Sequence, residues 1–120
     1  MLVSIVIPCY NSEQTIGKVV ELAIEEFEKL KDYECEFVLV NDYSRDNTWK
    51  SIHALTEKYP NVKGINLAKN FGQHNAIMAG MNYAQGELIL GMDDDMQNHP
   101  SQIPQFLDKM EEGYDIVFGV

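Results

Sequence analysis

The run Val3 to Pro8, VSIVIP, is a continuous apolar stretch rich in β-branched residues. A segment too apolar on both faces for an exposed antiparallel strand belongs in the middle of a parallel sheet. Further strand-type segments follow at CEFVLVN (Cys35 to Asn41), VKGINL (Val62 to Leu67) and ELILGM, and DIVFGV (Asp115 to Val120) starts a fifth. VKGINL alternates, which places it nearer an edge. Helical spacing fills the intervals. After a candidate N-cap at Ser12, the positions Ile16, Val19, Val20, Ala23, Ile24 and Phe27 share one face, with Glu25, Glu26 and Glu28 opposite. Asp46 or Asn47 can cap a second helix, with Trp49, Ile52, Leu55 and Tyr59 as its inner stripe and Pro60 as its end. FGQHNAIMAGMNYAQG gives a third, with a small-residue face of Ala76, Ile77, Ala79, Gly80 and Ala84 and a stop at Gly86. Ser101 can cap a fourth, which tolerates Pro104 in its first turn. Strand and helix alternating in this way dictate right-handed crossovers and a doubly wound α/β fold, its mostly parallel sheet covered on both faces. With no repeat, low-complexity tract or linker, residues 1–120 form a single domain. The last strand has no covering element after it, so the chain is expected to be the N-terminal portion of a longer fold, truncated after its fifth strand.

The formal net charge of −10 and the lack of any Lys/Arg cluster exclude a phosphate-backbone binder, so no nucleic-acid partner is expected. Any phosphate handled here needs a bridging cation. The apolar runs are too short to cross a bilayer, and Met1 leads directly into a strand rather than a signal peptide, so a cytoplasmic location is expected. Cys9 and Cys35 read as buried thiols rather than a disulfide or metal pair, since no CxxC spacing exists.

In open parallel sheets ligands collect at the carboxyl ends of the strands. The residues there are Pro8, Cys9, Tyr10 and Asn11; Asn41 and Asp42; Lys69, Asn70, Phe71 and Gly72; and Asp93, Asp94 and Asp95. Three adjacent carboxylates repel one another unless something positive is held among them. Alternate side chains of an extended loop point the same way, so Asp93 and Asp95 can converge on a Mg²⁺ or Mn²⁺ ion while Asp94 points elsewhere. From charge pattern alone a helix cap or solvated acidic turn explains the triplet equally well. An EF-hand does not fit, because Asn98 stands where the loop needs glycine. Asp42 can accept from a base N–H, or act as a turn former. Asp46 is better read as the latter. Tyr10 can offer a ring face to a planar base, or be an ordinary buried tyrosine. Neither GxGxxG nor GK[ST] occurs where a Rossmann dehydrogenase or P-loop enzyme needs it.

Taken in order, VSIVIPCYNSE, FVLVNDYSRDNT, NFGQHNAIMAGMNYAQG and GMDDDMQNHP resemble the family 2 inverting glycosyltransferases of the GT-A fold. The branch they are most similar to is the polyprenyl-phosphate sugar transferases, which include dolichol-phosphate mannose synthase. The resemblance runs from Val3 to Gly119. It implies a Rossmann-like nucleotide-sugar-binding half, with Tyr10 packed on the base, and Pro8, Asn11, Lys69, Asn70 and Gly72 around the nucleotide. The family's VIPxYNE motif is met by Val6 to Ser12, with Ser12 for the glutamate and Glu13 beside it. DDxSxDxT is met by Asn41, Asp42, Ser44, Asp46 and Thr48, with Asp42 as the base reader. DxDxQ is met by Asp93, Asp95 and Gln97, which implies that Asp93 and Asp95 bind the metal, that Asp93, Asp94 and Gln97 lie at the donor, and that Asp95 assists departure of the leaving group. The chain carries HPS where the polyprenyl-phosphate enzymes often have a proline pair and Glu.

The implied reaction moves a sugar from a nucleotide-diphosphate donor to a polyprenyl phosphate or, alternatively, a saccharide hydroxyl. In the second case the general base is expected beyond Val120. On either acceptor the 120-residue chain alone is expected to be inactive, contact with the membrane's cytoplasmic face is expected only through a further C-terminal part, and a homo-oligomer is compatible with the pattern. Two other classes compete. A nucleotidyltransferase is favoured by a basic loop after the first strand, which PCYNSE does not offer; a phospho-acceptor signalling module needs a lone acceptor Asp rather than a DxD pair. On the glycosyltransferase reading, loss of the Asp42 side chain is expected to weaken nucleotide binding without touching metal dependence.

Overall fold

The computed structural model describes residues 1–95, 100–111 and 116–118. Its strands are β1 (Leu2–Cys9), β2 (Glu34–Asn41), β3 (Val62–Asn66), β4 (Leu88–Gly91) and β5 (Ile116–Phe118). The helices between them are α1 (Ile16–Glu28), α2 (Thr48–Lys58), α3 (Gln73–Met81) and α4 (Ile103–Glu111), the last preceded by a 3₁₀ turn over Pro100–Gln102. All strand pairs are parallel, in the order β3-β2-β1-β4-β5. This is the doubly wound α/β sheet read from the sequence, with β3 at an edge as its alternation implies.

Period-two alternation sorts the two faces of the sheet. Val3, Ile5, Ile7 and Cys9 of β1 join Phe37 and Leu39 of β2 against α1, α2 and α4, through Ile16, Val19, Val20, Ala23, Phe27, Ile52, Leu55, Ile103 and Leu107. Val6, Val38 and Val40 face the other way, against Ala76 of α3. Gly80 lets α3 lie low on that face: a Cβ there would stand 2.5 Å from Val6 Cγ1 and 3.0 Å from Val40 Cγ2.

Local capping departs from the sequence expectation in three places. Thr15, not Ser12, is the N-cap of α1; Ser12 supplies its carbonyl to the Thr15 and Ile16 amides and makes the turn before the helix. Ser101 lies inside the 3₁₀ turn that runs into α4 rather than capping it. Helix α3 ends at Met81, well before Gly86. Gly86 is small for another reason, since a Cβ there would meet Ser4 Oγ at 2.5 Å and Ser4 N at 2.7 Å. Its amide donates to Ser4 Oγ, while Glu36 Oε2 accepts from Ser4 Oγ and from the Gln85 amide, so a buried polar cluster ties the loop after α3 to the sheet.

The chain steps outward from β1 to β2 to β3, then returns across the sheet to β4 on the other side of β1. The loops leaving β1 and β4 therefore diverge at a topological switch point, where a doubly wound sheet opens a crevice beyond its strand ends.

Candidate functional site

A cavity of about 370 Å³ lies at that switch point, lined by Pro8, Cys9, Tyr10, Asp42, Asn70, Gly72, Gln73, Asp93, Asp94 and Asp95. The volume is in the range of small-ligand sites. Four strand-following loops meet there, and each is held by the others.

The loop after β1 is clasped to the loop after β2. Asn11, in the left-handed backbone region at φ 50°, donates its amide to Ser44 Oγ (3.0 Å) and accepts the Arg45 amide at Oδ1 (3.0 Å). Ser12 N–H donates to Thr48 Oγ1 (2.8 Å), and Asp46 Oδ1 accepts the Thr48 amide (3.0 Å). Asn11 and Asp46 thus act as fasteners, and Asn11 does not line the cavity. Asn41 is a fastener too: its side chain donates to Asn66 Oδ1 (2.8 Å) and accepts from Ser44 Oγ (2.6 Å). An amide can do both at once, which a carboxylate cannot.

Asp42 is 3% exposed, and its two carboxylate oxygens are already engaged. Oδ1 accepts the Phe71 amide at 2.8 Å and Oδ2 the Gly72 amide at 3.0 Å. It is therefore first an organiser of the loop before α3; the lone pairs left on its oxygens are what a ligand donor could use. Gly72 stands at φ 89°, ψ 157°, a region essentially closed to other residues, and serves as the N-cap of α3. Lys69 stacks its ammonium 5.2 Å from the Phe71 ring and does not line the cavity.

On the opposite wall the three aspartates differ in their bonding. Asp93 Oδ1 accepts Gln73 Nε2 at 3.2 Å. Asp94 Oδ2 accepts the Tyr10 amide at 2.9 Å, and its carbonyl accepts Thr15 Oγ1 at 2.6 Å. Asp95 is exposed. Burial lifts the Asp94 carboxyl above its ordinary value against the lowering effect of the Tyr10 N–H, with the Asp95 charge adding to the rise. Burial, with the Asp94 charge behind it, pushes the Cys9 thiol well up, so it is a floor rather than a nucleophile.

Pro8, Tyr10, Asp42, Asn70, Gly72, Asp93, Asp94 and Asp95 are thus brought together, while Gln97 lies outside the described residues. Cys9, which the sequence places at the end of the first strand and reads as a buried thiol, also lines the cavity. Gln73 lines it too, although sequence reasoning gave it no place in the site. Gln73 follows Gly72 directly, but nothing local says that its side chain reaches Asp93. Both cysteines are free thiols. Among the described residues no helix is long and apolar enough to cross a membrane.

Among the described residues no three His, Cys, Asp or Glu side chains are grouped to hold a metal by themselves. The oxygen-only pair Asp93 and Asp95 nevertheless fits a hard cation that completes its shell with phosphate and water oxygens, as Mg²⁺ and Mn²⁺ do.

The family model for glycosyl transferase family 2 matches residues 4–120. An undecaprenyl-phosphate 4-deoxy-4-formamido-L-arabinose transferase from Proteus mirabilis (strain HI4320) is 43% identical over 116 residues, covering 96% of this chain and 35% of the relative. The enzyme of that name from Shewanella sediminis (strain HAW-EB3) is 45% identical over 117 residues, with the same coverage. The chain thus spans about a third of the length of these curated relatives. Among solved structures, S. aureus TarS 1–349 in complex with UDP-GlcNAc superposes with a TM-score of 0.72 at 29% identity, over 93% of this chain and 32% of that one. A mannosyltransferase from Pyrobaculum calidifontis, in complex with GDP-Man and Mn²⁺, gives 0.67 at 23% identity over 78% and 27%, a likeness of fold alone.

Proposed function

The chain belongs to glycosyl transferase family 2, and from that premise we propose that residues 1–120 form one unit, the donor-binding part of an inverting glycosyltransferase. It takes a nucleotide-diphosphate sugar and passes the sugar to a polyprenyl phosphate, the acceptor class named for both curated relatives. The observation that carries this reading is that Tyr10, Asp42, Asp93 and Asp95 line one and the same cavity at the switch point. An aromatic ring and a buried carboxylate suit a base, and a pair of oxygen ligands suits a cation-bridged diphosphate. UDP is the favoured nucleotide, because the TarS complex at 29% identity holds a UDP-sugar.

The geometry supports these roles. Tyr10, 47% exposed beside the cavity floor, offers its ring to the base. Asp42 fixes the loop of Asn70 and Gly72 and presents its remaining lone pairs toward the same end. Asp93 and Asp95 would hold a Mg²⁺ or Mn²⁺, which when bound neutralises the diphosphate and the charge growing on the leaving oxygen. Asp94 is retained by Tyr10 N–H and holds the two walls together. A polyprenyl phosphate brings its own oxyanion to attack the anomeric carbon, so an acceptor of that class needs little general-base help from the protein. A thermal-shift panel of UDP and GDP, each with and without Mn²⁺, tests the reading. Stabilisation by a nucleotide that depends on Mn²⁺ supports it, and no response to either nucleotide contradicts it.

A further inference from the structure

Asp42 and Asp93 stand on different walls of the cavity, yet hydrogen bonds and three consecutive residues join them. Asp42 Oδ1 and Oδ2 accept the Phe71 and Gly72 amides at 2.8 and 3.0 Å, and Asn70 Oδ1 takes a second share of the Gly72 amide at 3.0 Å. Gly72, with its φ of 89°, sets the direction in which α3 leaves. The first residue of α3 is Gln73, whose Nε2 lies 3.2 Å from Asp93 Oδ1. A carboxylate can only accept, so the Gln73 amide must donate there, and its orientation is fixed by chemistry.

We propose that Gln73 is a positioning residue for Asp93, and that residues 71–73 couple Asp42 to the carboxylates that hold the cation. The inference rests on the reading of Asp93 and Asp95 as cation ligands. A donor on Oδ1 restricts rotation of the Asp93 carboxylate. Groups that orient a ligating side chain in this way typically matter by about 10-fold or more in metal affinity. The anchor of the Gln73 backbone is Asp42, through two amides immediately before it. Whatever shifts Asp42 therefore shifts the donor on Asp93, and by linkage a ligand at either end changes affinity at the other by the same factor. On this proposal Asp42 acts on the cation as well as on the nucleotide, where the sequence expectation has its side chain act on the nucleotide alone.

The test is Mn²⁺ binding measured by electron paramagnetic resonance, first with Mn²⁺ alone and then with UDP present, on the wild type, Gln73→Ala, Gln73→Met, Asp42→Asn and the Gln73→Ala/Asp42→Asn double variant. Gln73→Met keeps the length and bulk of the side chain while deleting the donor, and thermal unfolding confirms that each variant is folded. The expected result is a loss of about 10-fold in Mn²⁺ affinity for both Gln73 variants. Asp42→Asn should also weaken Mn²⁺, and the double variant should lose clearly less than the product of the two single losses, because both act through one contact. Gln73 variants that bind Mn²⁺ as the wild type does overturn the positioning role. An Asp42→Asn loss that multiplies fully with that of Gln73→Ala, or no loss at all, overturns the coupling. A wild type that binds no Mn²⁺ in either condition overturns the cation reading itself, and is thereby distinguishable from a failure of the coupling.

Discussion

Asp94 Oδ2 accepts the Tyr10 amide at 2.9 Å, joining two loops that are 84 residues apart in the chain. The middle aspartate of the triplet is thus a bolt across the mouth of the switch point. Asp94→Ala is expected to lose about 1 kcal/mol of stability, the usual net worth of such a hydrogen bond, and to weaken UDP binding because Tyr10 is no longer held. Asp94→Asn keeps an acceptor oxygen and should retain most of both. Urea unfolding and UDP titration of the two variants check this; equal losses in Asn and Ala would contradict it.

Glu36 gives a pH prediction away from the site. Burial, at 6% exposure, would raise its pKa, but the hydrogen bonds from Ser4 and the Gln85 amide and the Lys63 ammonium at 2.9 Å outweigh it, so the folded value lies below the ordinary glutamate value of 4.5. A carboxylate whose pKa is lower folded than unfolded stabilises the fold fully above the unfolded value and loses that contribution as pH falls through the folded one. Glu36→Gln should therefore cost about 2 kcal/mol near pH 7, because one amide oxygen cannot replace both carboxylate oxygens and its NH₂ meets either the Lys63 ammonium or the Ser4 and Gln85 donors. The difference from wild type should shrink as the pH falls below 4.5. Denaturant midpoints between pH 7 and pH 3 measure it, and a gap that widens on acidification would contradict the account.

Two glycines, Gly72 capping α3 and Gly80 within it, separate strain from packing. Gly72→Ala meets no neighbour within 4 Å, so its cost comes from forcing a Cβ onto φ 89°, about 1–3 kcal/mol. It displaces the start of α3, so it should also weaken UDP and Mn²⁺ binding. Gly80→Ala instead drives a methyl onto Val6 and Val40, an overpacking cost of about 1–3 kcal/mol. It lies outside the cavity lining and should leave ligand affinity unchanged in the folded protein. Equal effects of the two on ligand binding would contradict this division.

The strands and inner helix faces could be read from the sequence because burial imposes short-range periodicity. Val3, Ile5 and Ile7 alternate with Val6 for no reason but the pleat. The concentration of site residues at the strand ends followed from the alternation of strand with helix, since parallel strands all end on one edge. What escaped depends on partners distant in the chain. Gly86 looked like a helix stop, the commonest local use of glycine, while its actual constraint is Ser4, 82 residues away. Ser12 had the right chemistry for a cap, but its amide is claimed by Thr48 and the helix begins a turn later. Asp42 had the right position, yet that its oxygens would be shared with the Phe71 and Gly72 amides, and that Gln73 would consequently meet Asp93, depends on how β3 and α3 return across the sheet.

A cation held by Asp93 and Asp95 would let this acidic cavity accept a nucleotide diphosphate. The decisive measurement is isothermal titration of UDP into the wild type, Asp93→Ala and Asp95→Ala, each with Mn²⁺ and with EDTA. Mn²⁺ should tighten UDP binding to the wild type by about 10-fold or more. Both variants should bind UDP weakly and equally with and without the metal, while unfolding at temperatures close to the wild type's. Wild-type affinity that is indifferent to Mn²⁺, or folded variants that keep a full Mn²⁺ response, would contradict it.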